Sequence, residues 1–290
     1  MEELTKAIVV VHTKEIEDLF SILKYYYEEY GKKCGAKVFF ISEDDIDVEK
    51  YKHPKYYVMS VSEKFFADRV LLLDADILVK LNAPSIFDCF PDNRYVYMYN
   101  ECPIRGSGWK KTFENILYSH LYQNNMPIIR IREGTHYNGG VTLYPDSLKK
   151  DIFSIPPWDV STHLYGPLKS VKQQPWRNYL IEKNKIPVKD VGRKWNHLPS
   201  TKQGIEKMSA CYFVHLTGFP GWQNGQHKKL LYLQNNASSC GIRKSDILEI
   251  SQVLKNYGDL DDKTKRNKEK KNAVLFGQKF RSRNIQKKKS

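Results

Sequence analysis

The sequence is poor in the features that mark disulfide-stabilised and membrane-spanning proteins. Its 290 residues include five cysteines, and no two have the Cys-x-x-Cys spacing of a zinc site or a redox pair. We therefore expect free thiols, as in a reducing compartment. No apolar run approaches the roughly 20 residues that cross a bilayer. The amino-terminal string MEELTKAIVVVHT is acidic and passes directly into a strand pattern, unlike a signal peptide. We expect a cytoplasmic protein with no signal peptide or transmembrane segment.

Positive charge is concentrated at the carboxyl end of the chain. The net charge is +14, and residues 261–290 contain twelve Lys and Arg but only three Asp and Glu. We predict a single domain at residues 1–258 and a flexible basic tail at 259–290. Such a tail can contact an anionic membrane or a polyanionic acceptor, or it can be solvated chain. Its few aromatic residues make nucleic acid an unlikely partner. A protein that acts by binding through this tail is one alternative function.

Strand and helix patterns alternate in the first part of the chain. KAIVVVHT, AKVFFISEDD and RVLLLDADILV are apolar runs of strand length. Between the first two, apolar residues recur at helical spacing, and Gly31 occupies the expected helix C-cap. This order predicts an α/β domain, with a mostly parallel, Rossmann-like sheet flanked by helices. Later segments continue the mixture, with RYVYMYNE and ACYFVHL predicted as strands, WKKTFENILYSHLYQNN and PWRNYLIEKNK as helices, and HYNGGVTLYP as a turn leading into a short strand.

Two aspartates interrupt the most apolar of these strands. Asp74 and Asp76 follow the run VLLL, at the carboxyl end of a predicted parallel strand, where open α/β sheets bind ligands. In an extended chain, residues i and i+2 point the same way, so the two carboxylates repel each other unless a cation lies between them. Oxygen ligands favour Mg²⁺ or Mn²⁺ over zinc. Such a metal commonly accompanies a phosphorylated substrate.

Two classes of enzyme share this pattern. In a phosphatase of the haloacid-dehalogenase type, Asp74 would be a phosphorylated nucleophile. In a nucleotide-sugar glycosyltransferase, both aspartates would hold a metal that bridges the donor diphosphate. The first class places its aspartates near the chain start and has a later acidic pair after an apolar strand. Here two strands precede the motif, and no apolar strand precedes the acidic string GDLDD. The second class is therefore favoured.

Four strings, in the same order, resemble motifs of the GT-A glycosyltransferases of family 8, the group that includes glycogenin and galactinol synthase. FADRVLLLDADILV is similar to the family's D-x-D strand, HYNGGVTLY to its N-x-G stretch, QQPWRN to D-Q-x-x-x-N and FVHLTGFPGW to H-x-x-G. The resemblance spans most of residues 6–230. It implies a GT-A fold with a small additional antiparallel element.

The resemblance also implies roles for individual residues. His215 would join Asp74 and Asp76 as a ligand of Mn²⁺ or Mg²⁺. The nucleotide-sugar donor would contact the following residues: Val11, His12 and Thr13 at the nucleoside base, Asp74, Ala75 and Asp76 at the diphosphate, Asn138 and Gly139 at the sugar, and Gly218 in the loop over the phosphates.

This chain departs from the family pattern at two places. A phosphate-contacting lysine of the family is missing from the string after Gly218, so Lys228 or Lys229 would have to supply that charge. The family's acid before Gln174 is Gln173 here, an amide that can hydrogen-bond a sugar but cannot carry negative charge. We expect Gln173 and Gln174 to be catalytic, with Asp159 as a candidate for the missing acid.

The implied activity is transfer of a sugar from a nucleoside-diphosphate donor, such as a UDP-sugar, to a hydroxyl acceptor such as a glycan. Family 8 enzymes retain the configuration at the anomeric carbon. In same-face attack the leaving phosphate accepts the proton of the acceptor hydroxyl, so no strong protein base is needed. That mechanism tolerates glutamine at position 173, whereas an inverting enzyme needs a placed carboxylate.

Overall fold

The structure is a computed structural model that describes residues 5–45, 67–154, 173–199, 205–217 and 225–257. The predicted boundary near residue 258 and the basic tail lie outside these ranges. Among the described helices, none is both long enough and apolar enough to cross a membrane.

The described chain alternates strands and helices, as the apolar patterns predict. The strands are β1 (Lys6–Val11), β2 (Lys37–Ile41), β3 (Arg69–Asp74), β4 (Ile77–Val79), β5 (Val96–Asn100), β6 (Tyr137–Pro145), β7 (Val188–Asp190) and β8 (Phe213–His215). The helices are α1 (Glu17–Cys34), α2 (Ile86–Cys89), α3 (Cys102–Arg105), α4 (Ser107–Gln123), α5 (Lys149–Ile152), α6 (Gln173–Lys183), α7 (Gly225–Asn235), α8 (Ala237–Cys240) and α9 (244–257).

Six strands form the central sheet, in the order β2-β1-β3-β6-β5-β7. β1 pairs in parallel with both β2 and β3, and β5 pairs in parallel with β7. β6 runs against its two neighbours, β3 and β5. The predicted mostly parallel sheet is therefore confirmed. Parallel strands end at the same edge, so the carboxyl ends of β1 and β3 lie side by side, with Val11 opposite Asp74.

Helices cover both faces of the sheet, which explains why β1 and β3 are apolar without interruption. On one face, Ile8 and Leu71 belong to a core cluster that includes most of the buried side of α1. On the other face, Val9 and Leu72 pack in a cluster with residues near α5 and α6, including Phe153. Alternate residues of each strand thus enter different cores, as period-two geometry requires.

Helix α1 ends at Cys34, three residues beyond the predicted cap. Gly35 is the C-cap, with a left-handed φ of 62°, a conformation that glycine adopts without steric strain. Gly31 lies inside the helix, where a Cβ would overlap the Val38 side chain of β2. The prediction of Gly31 as the cap was therefore wrong. This glycine allows close packing of helix on strand.

A second, two-stranded antiparallel sheet is formed by β4 and β8. It is the small additional antiparallel element that the family resemblance implied. The sequence pattern suggests that residues 77–79 continue β3, but a turn at Ala75 and Asp76 separates β4 from β3. The NGG string, predicted as a turn, instead lies inside the nine-residue strand β6.

Candidate metal and donor site

The two aspartates lie where the chain leaves the central sheet. Asp74 is the last residue of β3, and Asp76 follows in the turn that leads into β4. Ala75 between them is buried. The turn, rather than an extended strand, brings the two carboxylates together. Strand β3 is covered on both faces, so these charges are held at the edge of the core.

His215 reaches the same point from a distant part of the sequence. It is the last residue of β8 and pairs with Ile77, the first residue of β4. The amide of Leu216 donates to the Asp76 carbonyl at 2.9 Å. The β4–β8 ladder therefore fixes the histidine beside the turn. Its Nε2 lies 3.3 Å from Asp76 Oδ1 and 3.6 Å from Asp74 Oδ2.

Asp76 and His215 are buried, at 8% and 3% exposed, whereas Asp74 is partly exposed. Lys229, on helix α7, is 4% exposed and places Nζ 2.7 Å from Asp76 Oδ2. Burial by itself raises the pKa of the Asp76 carboxyl, but the buried ammonium of Lys229 is the strongest opposing influence, and this pKa lies well below its ordinary value. Asp76 is therefore ionised at neutral pH.

Asp74, Asp76 and His215 fit a divalent cation. Each offers one ligand atom, and the three atoms lie within 4.8 Å of one another. Lys229 takes one oxygen of Asp76 and leaves the other, Oδ1, facing His215. Two carboxylates and one imidazole suit Mn²⁺ and other borderline-hard cations. The three metal ligands that the sequence suggested are thus brought together.

No protein-family model matches the chain, but solved structures are similar to it. One is the crystal structure of a glycosyltransferase involved in glycosylation of the major capsid of PBCV-1. It is 17% identical, with 78% of this chain and 99% of that chain covered, and the TM-score is 0.51. The chain has the GT-A glycosyltransferase fold.

Two other solved glycosyltransferases match at lower TM-scores. The galactosyltransferase LgtC, in complex with donor and acceptor sugar analogues, is 13% identical, with 81% of this chain and 95% of that chain covered and a TM-score of 0.42. The apo form of GlyE from Streptococcus pneumoniae TIGR4 is also 13% identical, with 83% and 65% covered and a TM-score of 0.42.

In this GT-A domain, the N-x-G string lies directly behind the histidine. The His215 ring packs against Gly140, where a Cβ would stand 2.6 Å from ring atom Nδ1. The ring's Nδ1 lies 2.9 Å from Asn196 Oδ1. Asn196 in turn contacts Asn138, with Nδ2 2.9 Å from Asn138 Oδ1. Gly139, which the resemblance assigned to the donor sugar, precedes Gly140, and Gly140 is the glycine against which the ring packs.

A buried carboxylate connects Asn138 to helix α6. Asn138 Nδ2 donates to Glu101 Oε2 at 3.3 Å, and Arg105 Nε donates to the same oxygen at 2.9 Å. The Gln174 side chain donates to the other oxygen, Oε1. Gln174 therefore belongs to the same polar chain as Asn138. The start of α6 includes Gln173, whose side chain lies outside the described part of the structure.

A cleft of about 500 Å³ opens beside the ends of β1 and β2. His12 and Phe20 line it, and their rings are stacked at a centroid distance of 3.9 Å. Lys14, Ser42 and Asp44 contribute polar groups. Val11 and Thr13, predicted to contact the donor base, flank His12 in the chain, with Val11 buried.

The remaining predicted residues differ in how far the structure describes them. Lys228 is exposed, whereas its neighbour Lys229 is buried on Asp76. Gly218 and Asp159 lie outside the described residues. Asn196 and Glu101 were not identified as site residues from the sequence. Their surrounding strings, RKWNHL and YMYNEC, look like ordinary surface sequence and carry no motif. The burial of Glu101 beside an amide and an arginine becomes visible only once β5, β6 and α6 meet.

Proposed function

We propose that this protein is a metal-dependent glycosyltransferase that moves a sugar from a nucleoside-diphosphate donor to a hydroxyl acceptor. The observation that carries the proposal is the convergence of Asp74, Asp76 and His215 within 4.8 Å at the edge of a GT-A sheet. Four sequence motifs in the order of family 8 support the same assignment.

The charge balance of the site suits an anionic diphosphate. Asp74 and Asp76 carry two negative charges, and Lys229 contributes one positive charge at 2.7 Å from Asp76. A divalent cation such as Mn²⁺ held by these ligands would bring the cluster to +1 and supply Lewis-acid stabilisation of the leaving diphosphate. In family 8 a lysine after the H-x-x-G motif supplies positive charge to the phosphates, and this chain lacks it. Lys229 can supply that charge instead, and it is better placed to do so than the exposed Lys228.

The cleft beside β1 suits the nucleoside end of the donor. The stacked rings of His12 and Phe20 line it, and Ser42 and Asp44 offer hydrogen-bonding groups. Aromatic rings and a few polar groups are a common lining of small-molecule sites. Since Val11 pairs with Asp74, this cleft lies at the same sheet edge as the metal ligands.

Gln174 is the residue we assign to the sugar, together with Asn138. Both are tied to the buried Glu101, so the amides are held in one orientation. Gln173 and Asp159 remain candidates for further contacts with the sugar. Transfer with retention is proposed, because the leaving phosphate can accept the proton of the attacking hydroxyl and no protein base is then required.

The proposal is tested by release of nucleoside diphosphate from a panel of nucleotide-sugars, with Mn²⁺ and after treatment with EDTA. We expect turnover of at least one UDP-sugar that needs the metal and is lost in Asp76→Asn. Asp88→Asn changes an exposed carboxylate outside the site and is the matched control, which should stay active. Hydrolysis of phosphomonoesters without turnover of any nucleotide-sugar would instead support a phosphatase with Asp74 as its nucleophile.

A further inference from the structure

We infer that Asn196, Asn138 and Gly140 are positioning residues that fix the orientation and the tautomer of His215. Together they hold the ring so that Nε2 presents its lone pair to the two aspartates. The inference deepens the metal site of the proposed function and rests on it for its purpose, although the tautomer itself can be observed without metal.

The direction of each hydrogen bond follows from one backbone group. The Gly140 amide lies 2.8 Å from a side-chain atom of Asn138. A backbone N–H can only donate, so that atom is the amide oxygen. The Asn196 group that contacts the same oxygen at 2.9 Å must then be the NH₂. The Asn196 oxygen is left facing His215 Nδ1 at 2.9 Å.

The Asn196 oxygen therefore accepts from an N–H on His215 Nδ1. A neutral imidazole has one N–H and one lone pair, and an oxygen of an amide accepts but does not donate. In the neutral ring Nε2 then has the lone pair, and this is the atom nearest Asp74 and Asp76. A metal ligand requires that lone pair. Without Asn196, the favoured proton position would be Nε2, because that nitrogen faces two carboxylates.

Glu101, at the end of this series of hydrogen bonds, prevents the Asn138 and Asn196 amides from rotating. Asn138 Nδ2 donates to Glu101 Oε2, which also accepts from Arg105. A flip of Asn138 would turn its oxygen toward the Glu101 carboxylate and its NH₂ toward the Gly140 amide. Both contacts would then be repulsive. The buried Glu101 thus fixes the orientation of Asn138 and, through Asn196, the acceptor that faces His215 Nδ1.

Gly140 determines where the His215 ring lies, whereas the two amides determine which of its nitrogens donates. A Cβ at this position would lie 2.6 Å from Nδ1 and 3.0 Å from Nε2, closer than side-chain atoms pack. The ring can approach β6 this closely because this residue is glycine. The backbone of His215 is held independently, since its amide donates to the His197 carbonyl at 2.8 Å.

The first test is the tautomer in metal-free protein, measured by ¹⁵N-detected ring correlations at a pH where the ring is neutral. The His215 signals are assigned by their loss in His215→Gln. We expect the proton on Nδ1 in the native protein and a shift toward Nε2–H in Asn196→Leu. A native ring protonated on Nε2 would overturn the inference, whatever its metal affinity.

The second test is Mn²⁺ affinity by calorimetry on the full chain. Loss of a hydrogen-bond partner behind a ligating histidine typically weakens metal binding by about 10–100-fold, and we expect that loss in Asn196→Leu. Asn196→Asp keeps an acceptor for Nδ1–H although it loses the NH₂ that donates to Asn138, so it should lose less Mn²⁺ affinity than Asn196→Leu. The stability control is Tyr26→Phe, which removes a buried hydroxyl bonded to Asp246 and should leave Mn²⁺ affinity unchanged.

These outcomes separate the inference from the proposed function. Equal Mn²⁺ affinity in native protein and Asn196→Leu would refute the positioning role while the metal site stands. No Mn²⁺ binding by a native protein whose proton lies on Nδ1 would refute the metal assignment and leave the positioning of the ring intact.

Discussion

Replacement of Lys229 by methionine should strongly destabilise the metal-free protein. The ammonium and the Asp76 carboxylate are almost fully buried and lie 2.7 Å apart. Methionine keeps most of the volume and the unbranched shape of lysine but removes its charge. The cluster of Asp74 and Asp76 then changes from a net charge of −1 to −2, with no other ammonium among the contacts described for Asp76.

The magnitude follows from the cost of an uncompensated buried charge. Breaking a buried ion pair by removing one partner destabilises proteins by about 3–5 kcal/mol. A change of 1 kcal/mol moves the thermal midpoint of a domain of about 150–250 residues by roughly 2–4 °C. We therefore expect the midpoint of Lys229→Met to fall by on the order of 10 °C.

Mn²⁺ should restore much of this loss, because a divalent cation neutralises the two carboxylates that the variant leaves unpaired. Thermal melts with EDTA and with increasing Mn²⁺ give both quantities. A ligand at 100 times its Kd adds about 2.7 kcal/mol of stability, and the increase should be larger in Lys229→Met than in native protein. The control is Lys228→Met, since exposed substitutions usually change stability by less than about 0.5 kcal/mol.

Two results would refute this reasoning. If Lys229→Met and Lys228→Met melt together in EDTA, the ion pair with Asp76 is not the stabilising contact that its burial indicates. If Mn²⁺ raises the midpoint of both variants and of native protein equally, the cation is not bound where Lys229 acts.

Three further outcomes are expected from other parts of the fold. Burial, with Lys110 nearby, lowers the pKa of His136 to about 3. Because the unfolded chain takes up that proton near pH 6.5, the free energy of unfolding falls as the pH drops from about 6.5 toward 3. Thermal melts of His136→Met should show a midpoint that depends less on pH in this range. Lys80→Met leaves the Met208 carbonyl, now 2.5 Å from Nζ, without its donor and should lose about 1–3 kcal/mol in urea unfolding. Gly31→Ala places a Cβ against Val38 and should destabilise by about 1–3 kcal/mol despite alanine's helix propensity, measured the same way.

Local patterns predicted the sheet and two of the three candidate metal ligands. The runs in β1 and β3 are apolar without a break because both faces are covered, so they are visible in the sequence without any partner. Asp74 and Asp76 stand out for the same reason, as charges at the end of a buried strand. The turn between them was not visible, because it depends on β4 pairing with β8, more than 130 residues away in the chain.

The contacts behind His215 could not be predicted from any string. Asn196 and Glu101 are single polar residues, and their roles depend on which buried groups the fold places beside them. Resemblance to a family assigned Asn138 and Gly139 to a sugar and gave no role to Gly140, against which the His215 ring packs. Which glycine faces the ring depends on how β6 is oriented in the fold, since neighbouring residues of a strand face opposite sides of the sheet.

The choice between Lys228 and Lys229 was undecided for a related reason. Successive residues of a helix point about 100° apart, so the phase of α7 determines which lysine faces Asp76. That phase is set by the packing of Leu230 and Leu233 in the core rather than by the charged residues themselves. The sequence established that a lysine was available, and the fold determined which one.

The most direct test of this account is the anomalous scattering of Mn²⁺ in crystals grown with Mn²⁺ and UDP. We expect one strong peak bounded by Asp74, Asp76 and His215, at about 2.1 Å from the ligand atoms, with the diphosphate on its open side and Lys229 still paired with Asp76. A peak elsewhere, or a diphosphate bound away from these residues with no metal between them, would contradict it.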